Sequence, residues 1–333
     1  MTAARLLFKT HRFEALAVLA AAALLAVAAM YVTSRLNGVG VETDCFRQRF
    51  SSGPSEASEA CSASVQVFGT INGDEAGKVM AGMAVLPFIG GLLIGVPLVG
   101  REIEQRTATL AWSLQSSRRR WLLKRAVIGG VSLATVLAVP AAAAELLEPA
   151  RQPWLDPATT AFRDYGLRGP LTVFRGLAAF AIGLLAGAVI GRVLPALIIG
   201  AVGAVLLVQV VLAAQWTYLP PAEMLPVSET ERAGRDGLQV GSGDEPEFRD
   251  RAGNTVTWEE IVARAPYPEY DEELGDADPR FYAWFESEFE RYELFIPGEK
   301  LGIVAVREAA GLSLFSVVLV GLSAVVVSRR RPY

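Results

Sequence analysis

The sequence predicts an all-α membrane protein with six transmembrane helices, both termini cytoplasmic, and an α-rich or mixed extracytoplasmic domain between helices 5 and 6. Three observations predict it. The 333-residue chain is 52% hydrophobic, with a mean hydropathy of +0.35, whereas apolar residues with glycine counted make up about 45–50% of a soluble domain. The apolar residues fall into six runs, each close to the roughly 20 residues that cross a bilayer core. The charge is also segregated, although the net value is only −4. Arginines crowd the segment 101–120 and the C-terminus, while residues 218–307 hold 21 acidic and 9 basic side chains. Short loops rich in Lys and Arg stay in the cytoplasm, which fixes the orientation of every span.

Residues 1–12 place Arg5, Lys9 and Arg12 around Leu6, Leu7 and Phe8, as in a short interfacial helix or a plain positive flank. Span 1 covers 13–35. A signal peptide is the rival reading, but the length of the run and the spans that follow favour an uncleaved helix. Segment 36–78 is polar and holds both cysteines, Cys45 and Cys61. Span counting puts it outside the cytoplasm, where disulfides persist, so a Cys45–Cys61 bridge is expected; the alternative is two free thiols. Span 2 covers 79–100 and contains Pro87, Gly90, Gly91 and Gly95. Small residues of this kind let helices approach closely in lipid.

Span 3 covers 121–147, with Pro140 as a kink and Glu145 and Glu148 at or just beyond its outer end. The loop 148–170 carries Trp154, Pro157 and the Gly169-Pro170 turn signal. Span 4 covers 171–191. Its Gly183, Gly187 and Gly191 make a small-residue ridge for helix packing, either inside the chain or at a dimer seam. Arg175 lies one turn inside this span and either snorkels to headgroups or pairs with Glu145 or Glu148. Pro195 opens span 5, 193–216, after a hairpin too tight for anything but antiparallel packing.

Segment 217–307 is the extracytoplasmic domain. Within it, 278–295 reads as a helix, because Phe281, Phe285, Phe289 and Tyr292 recur at three and four residues behind an Asp-Pro start. That stripe suits a small-domain core, a surface lying on the leaflet, or a gating lid. Span 6 covers 309–328, and the tail 329–333 returns three arginines to the cytoplasm.

Catalytic and metal chemistry have little to work with. His11 is the single histidine, and two cysteines cannot build the usual Cys/His metal site. No phosphate-binding glycine loop, nucleophile elbow or HExxH helix is present. The predicted spans offer no pair of carboxylates for a proton relay. No catalytic residue, cofactor or metal is therefore expected, and transport by such a chain would need a partner to supply work.

The segment 101–120 offers that partner a surface. Glu102 and Glu104 follow the membrane exit, and orientation needs only the positive charge. Thr107 can cap a short helix through Leu110, Trp112 and Leu114. Ser116 or Ser117 can then cap the helix of span 3, which puts Arg118, Arg119 and Arg120 in its first turn.

These residues carry a family resemblance. The stretch GREIEQRTATLAWSLQSSRRRWLLKR is similar to the segment between spans 2 and 3 of ABC-2-type permeases, the membrane subunits of ATP-binding-cassette exporters. It matches at Glu102, Glu104, Thr107, Trp112, Arg118, Trp121 and Lys124, and departs at Arg106, where glycine is usual. KTHRFEALAVLAAA resembles the family's start, and YGLRGPLTVFRGLAAFAIGLLAGAVIGRVLPAL resembles its spans 4 and 5. The resemblance implies a coupling helix over 102–117 that docks a separate cytoplasmic ATPase. Glu102, Glu104 and Arg106 would be its polar contacts, and Leu110 and Trp112 its apolar ones.

The resemblance further implies a plasma-membrane exporter permease, two copies working with two cassette ATPases in contact with membrane lipids. ATP and magnesium would be bound by the ATPase, and no nucleic acid is involved. A membrane-anchored extracytoplasmic binding or sensor protein built around 217–307 is the alternative.

Overall fold

The protein is described by a computed structural model, which covers residues 12–41, 45, 59–108, 112, 117–153, 162, 164–226, 238–239, 247–271 and 276–330. The interfacial segment before Arg12 lies outside these, as do Leu110, Leu114, Ser116, Trp154, Pro157 and Arg331.

Six helices among the described residues are long and apolar enough to cross a membrane. They are built from α1 (Arg12–Val39), α3 (Gly77–Glu104), α4 (Arg118–Arg151), α5 (Gly169–Ile190), α6 (Val193–Tyr218) and α9 (Leu301–Arg329). Most run past the predicted span limits. The largest difference precedes α3. Residues 59–78, predicted as loop, form α2 (Glu59–Thr70) and a π-helical turn (Ile71–Ala76), so that Cys61–Glu104 is one rod of 44 residues. The cause is legible in retrospect. Cys61, Val65, Phe68 and Ile71 recur at helical spacing and are buried against Ala29, Val32 and Leu36 of α1 and Leu147 of α4. Cys45 is joined to Cys61, with Cα atoms 5.6 Å apart, at the start of this rod.

Helix α5 is the hub. It packs on α3, α4, α6 and α9, and its crossing with α3 is nearly backbone to backbone. A Cβ added at Gly95 would lie 2.4 Å from the Phe180 carbonyl, and one at Gly187 would lie 2.5 Å from the Val96 carbonyl. A Cβ at Gly183 would lie 3.2 Å from the Val96 backbone nitrogen, closer than ordinary contact. The third glycine of the ridge does something else. Gly191 is the left-handed C-cap of α5, φ 71°, a conformation that costs glycine nothing. The two-residue link that follows turns the chain into α6.

At the periphery α1, α6 and α9 leave Leu24, Val27, Val205, Leu206 and Val317 more than half exposed. A continuous apolar surface of this extent would aggregate in water. Around a bundle of six such helices it is the lipid-facing belt of a multi-pass membrane protein.

Between α6 and α9 lies a small α/β domain. Its main sheet has β7 (Phe289–Ile296) at the centre, antiparallel to β1 (Glu223–Pro226) on one side and to β2 (Leu238–Gln239) and β3 (Glu247–Asp250) on the other, with β4 (Thr255–Val256) beyond β3. The helices α7 (Trp258–Arg264) and α8 (Pro279–Glu288) cover it, and β5 (Tyr270–Asp271) pairs with β6 (Asp276–Ala277). The capping box of Thr257 and Glu260 starts α7, and the Asp278 carboxylate caps α8.

The predicted helix 278–295 breaks at Phe289. Beyond that point the segment FERYELFI pairs as strand with β1, β2 and β3. The aromatic stripe is the domain core. Phe281, Phe285 and Phe289 pack with Trp258, Trp284 and Phe248. The end of the bundle that carries this domain is the domain end, and the opposite end, with residues 101–118, is the loop end.

Candidate functional site

At the loop end, α3 runs out through Glu104, and Gln105–Thr107 form a turn. Each predicted contact residue described there already has a place within the chain. The Glu102 carboxylate accepts a hydrogen bond from Arg125 of α4, whose guanidinium lies over the Trp121 ring, 4.4 Å from its centroid. Glu104 Oε2 accepts from the backbone N–H of Val193 at 3.0 Å. Val193 is the first residue of α6, so Glu104 satisfies one of the four orphan donors at that helix start and sets a negative charge against its positive dipole end.

Arg106 occupies the left-handed region, φ 58°. The turn thus keeps the conformation that glycine favours, although the side chain is arginine. The cost is about 1–2 kcal/mol for an L-residue. Thr107 Oγ1 donates back to the Glu102 carbonyl at 3.3 Å, closing the end of α3.

Trp112 turns inward. It is 8% exposed, meets Trp121 edge-on at 6.2 Å, and has the Arg118 guanidinium over its ring, 4.7 Å from the centroid. Ser117 occupies the N-cap position of α4 with extended backbone, but its side chain makes no capping bond. Arg118–Arg120 fill the first turn of α4 as the sequence predicts. Arg118 donates to the Arg330 carbonyl just beyond α9, and Arg330 Nη1 donates to the Ala188 carbonyl of α5 at 2.7 Å. Arg101 also pairs with Glu14 of α1, so a force applied at 101–118 reaches α1, α3, α4, α6 and α9 directly, and α5 through Arg330.

The domain end holds a second cluster that sequence reasoning missed. Arg175 neither snorkels nor pairs with Glu145 or Glu148. It donates from Nε (2.9 Å) and Nη2 (2.7 Å) to Glu308 Oε1, and from Nη1 to the Gly166 carbonyl. Tyr165 donates to the other oxygen, Glu308 Oε2. Glu308 is 3% exposed and sits seven residues into α9, where the predicted span 6 placed it just outside. Two signals pointed to it. An arginine inside an apolar run needs a counter-charge, and Glu308 shares the buried stripe of Val304 and Leu312 at intervals of four.

Beside this pair, Arg151 joins three segments. It reaches Asp164, lies 3.5 Å from Glu148, and exchanges bonds with Asn72 of the π-helical turn. Gln152 donates to Glu148, and Glu145 faces Arg168 at 3.8 Å.

A family model described as ABC-2 membrane transporter related matches residues 13–216, more than half of the chain and all of α3 to α5. No curated protein and no solved structure matches.

Proposed function

Because the chain belongs to the ABC-2 membrane transporter related family, we propose that it is the permease subunit of an ATP-binding-cassette exporter, driven by a separate cytoplasmic ATPase that docks on residues 102–117. The observation that carries this reading is the wiring of the loop end. One short segment is bonded to α1 through Arg101 and Glu14, to α4, to α6 and to the end of α9, and through Arg330 to α5, and that is the arrangement a borrowed motor needs. In this mechanism the ATPase closes on the exposed face of the 102–107 turn. Glu102 passes the displacement to α4 through Arg125, Glu104 passes it to α6 through the Val193 N–H, and Arg118 passes it to α9 and α5 through Arg330. Trp112 acts by anchoring the segment in the bundle, and Arg106 presents its charge from a strained turn. The chain supplies no catalytic step. ATP and magnesium belong to the partner.

Charge supports the orientation. Arg101, Arg106, Arg118–Arg120, Lys124 and Arg125 crowd the loop end, as a cytoplasmic face requires. The α/β domain and the Cys45–Cys61 pair then lie on the oxidising side. Two copies of the permease with two ATPases form the working unit, in contact with membrane lipids. Affinity purification of the tagged full chain from its native membrane tests the proposal. A cassette ATPase recovered in stoichiometric amount is the expected result. Recovery of the chain with no ATPase overturns the reading in favour of a membrane-anchored binding or sensor protein, in which the separately cored α/β domain is the working part.

A further inference from the structure

A shallow recess of about 570 Å³ lies on the outer face of α4 at the loop end, lined by Arg119, Arg120 and Lys124 together with Leu123 and Val127. The same face continues to Val131. Val127 and Val131 are more than half exposed and Leu123 nearly half, whereas Leu122, Ala126 and Leu133 turn into the bundle. Arg120, Leu123, Val127 and Val131 follow one another at three and four residues, so cations and apolar side chains share one stripe. From Arg120 to Val131 the helix rises about 16 Å, at 1.5 Å per residue. That is close to half of a hydrocarbon core about 30 Å thick. The stripe is therefore part of the lipid-facing belt, one leaflet long, with charge only at the rim.

Among the described residues these three cations have no counter-charge; none of them makes an ion pair or a hydrogen bond. No acidic residue occurs between Glu104 and Glu145, and the carboxylates described at this end are committed elsewhere. Glu14 pairs with Arg101, Glu102 with Arg125, and Glu104 accepts from the Val193 N–H. The dipole of α4 has the same positive sign at this end. An anion set among the three side chains is thus favoured by each of them. A soluble protein would meet the tip of α4, not a face that runs on into hydrocarbon as Leu123, Val127 and Val131. A lipid phosphate lies at that rim, with its chains directed along the stripe.

We propose that this face of α4 binds an anionic phospholipid of the adjacent leaflet, its phosphate among Arg119, Arg120 and Lys124 and an acyl chain along Leu123, Val127 and Val131. Single basic residues at a membrane surface already attract anionic lipid; here three act on one phosphate. Binding does not depend on the permease reading, but placing the lipid in the cytoplasmic leaflet rests on the orientation proposed with it. Arg118 and Arg125, on either side of the patch, tie this stretch of α4 to the segment beyond α9 and to α3. The bound lipid therefore sits against the helix turns that carry the loop-end contacts.

The unmodified full chain in phosphatidylcholine nanodiscs can be given a trace of phosphatidylglycerol with a diazirine on its acyl chain, illuminated, and mapped by peptide mass spectrometry. Cross-links should concentrate on residues 123–131. Unlabelled phosphatidylglycerol should suppress them at least tenfold more effectively than the same amount of phosphatidylethanolamine. The triple variant Arg119→Gln, Arg120→Gln, Lys124→Gln should lose this labelling at least tenfold. Arg192→Gln with Arg329→Gln, which removes two exposed cations from the same end, should label as the unmodified chain does. Labelling spread evenly round the belt, equal suppression by both lipids, undiminished labelling of the triple variant, or an equal loss in the Arg192 and Arg329 pair would each overturn the assignment. The first two readouts use the unmodified chain, so they hold whether or not the variants fold. Suppression by millimolar inorganic phosphate would give the site to a soluble anion and also overturn it. Loss of the ATPase from a triple variant that still labels would give the patch to the partner, with the same consequence. Because the cassette ATPase is scored separately by purification, failure of the lipid site leaves the permease reading standing, and the reverse holds too.

Discussion

The two ends of the bundle use charge in opposite ways. At the loop end, the ion pairs Glu102–Arg125 and Glu14–Arg101 are partly exposed to solvent and tie the tips of helices together. At the domain end, Glu148 and Glu308 are buried, and the bonds run both between near neighbours, as from Arg151 to Asp164, and across the fold. Arg175 and Glu308 are 133 residues apart, and Asn72 and Arg151 are 79 apart. Exposed ion pairs contribute little, about 0–1 kcal/mol. Breaking a buried one by removing a single partner costs about 3–5 kcal/mol, because a charge is left stranded. The difference suggests a division of labour in which the loop end yields and transmits while the domain end holds the helices in register.

The hardest test of that comparison is Glu308→Leu. It strands Arg175 and should cost about 3–5 kcal/mol, seen as a marked fall in the thermal midpoint of the purified chain. The double variant Arg175→Met with Glu308→Leu should recover most of the loss. Trp112→Ala comes next, at about 3 kcal/mol for a buried aromatic. Its damage should be local, with faster hydrogen exchange in residues 101–120 and none added in the α/β domain.

Glu104→Lys should be milder for stability, about 1 kcal/mol from the reversed sign at the start of α6. It should uncouple ATP hydrolysis from transport while folded yield stays the same. Arg106→Gly should raise stability by about 1 kcal/mol, since glycine adopts the left-handed turn freely. The smallest effect lies in the α/β domain. The side-chain bonds from Arg280, and the backbone N–H of Arg280, hold the Asp278 carboxyl below its ordinary range, as Asn254 does for Asp250. A depressed carboxylate contributes stability in full above the unfolded value of about 3.9, and loses it as pH falls through the folded value. Domain tryptophan fluorescence should therefore stay constant from neutral pH down to about 4 and change only below it.

The loop end was legible in the sequence because its information is contiguous. An apolar run, two carboxylates, an aromatic pair and an arginine cluster follow one another, and α4 starts after Ser117 as they suggest, although α3 runs four residues past its predicted end to Glu104. Within it, the left-handed turn at Arg106 was hidden, since arginine gives no sign of positive φ. The inward turn of Trp112 was hidden too, because its partner Trp121 belongs to the next helix. The domain end was much less legible. Glu308 looked like part of an acidic segment until α9 was seen to begin at Leu301, and a counter-charge 133 residues away leaves no local trace. The break between α8 and β7 was missed because aromatic spacing at three and four residues continued across it. Only the partner strands β1 and β3 favour the extended form.

The claim on which the rest depends is that the 101–118 segment and the α/β domain face opposite sides of the membrane, with the former in the cytoplasm. Single cysteines at the exposed positions Gln105 and Glu269, in a background with Cys45 and Cys61 replaced by serine, can be reacted with a membrane-impermeant maleimide in intact cells. The account expects Glu269→Cys to label at once and Gln105→Cys to label only after permeabilisation. Labelling of Gln105→Cys in intact cells, with Glu269→Cys protected, would contradict it.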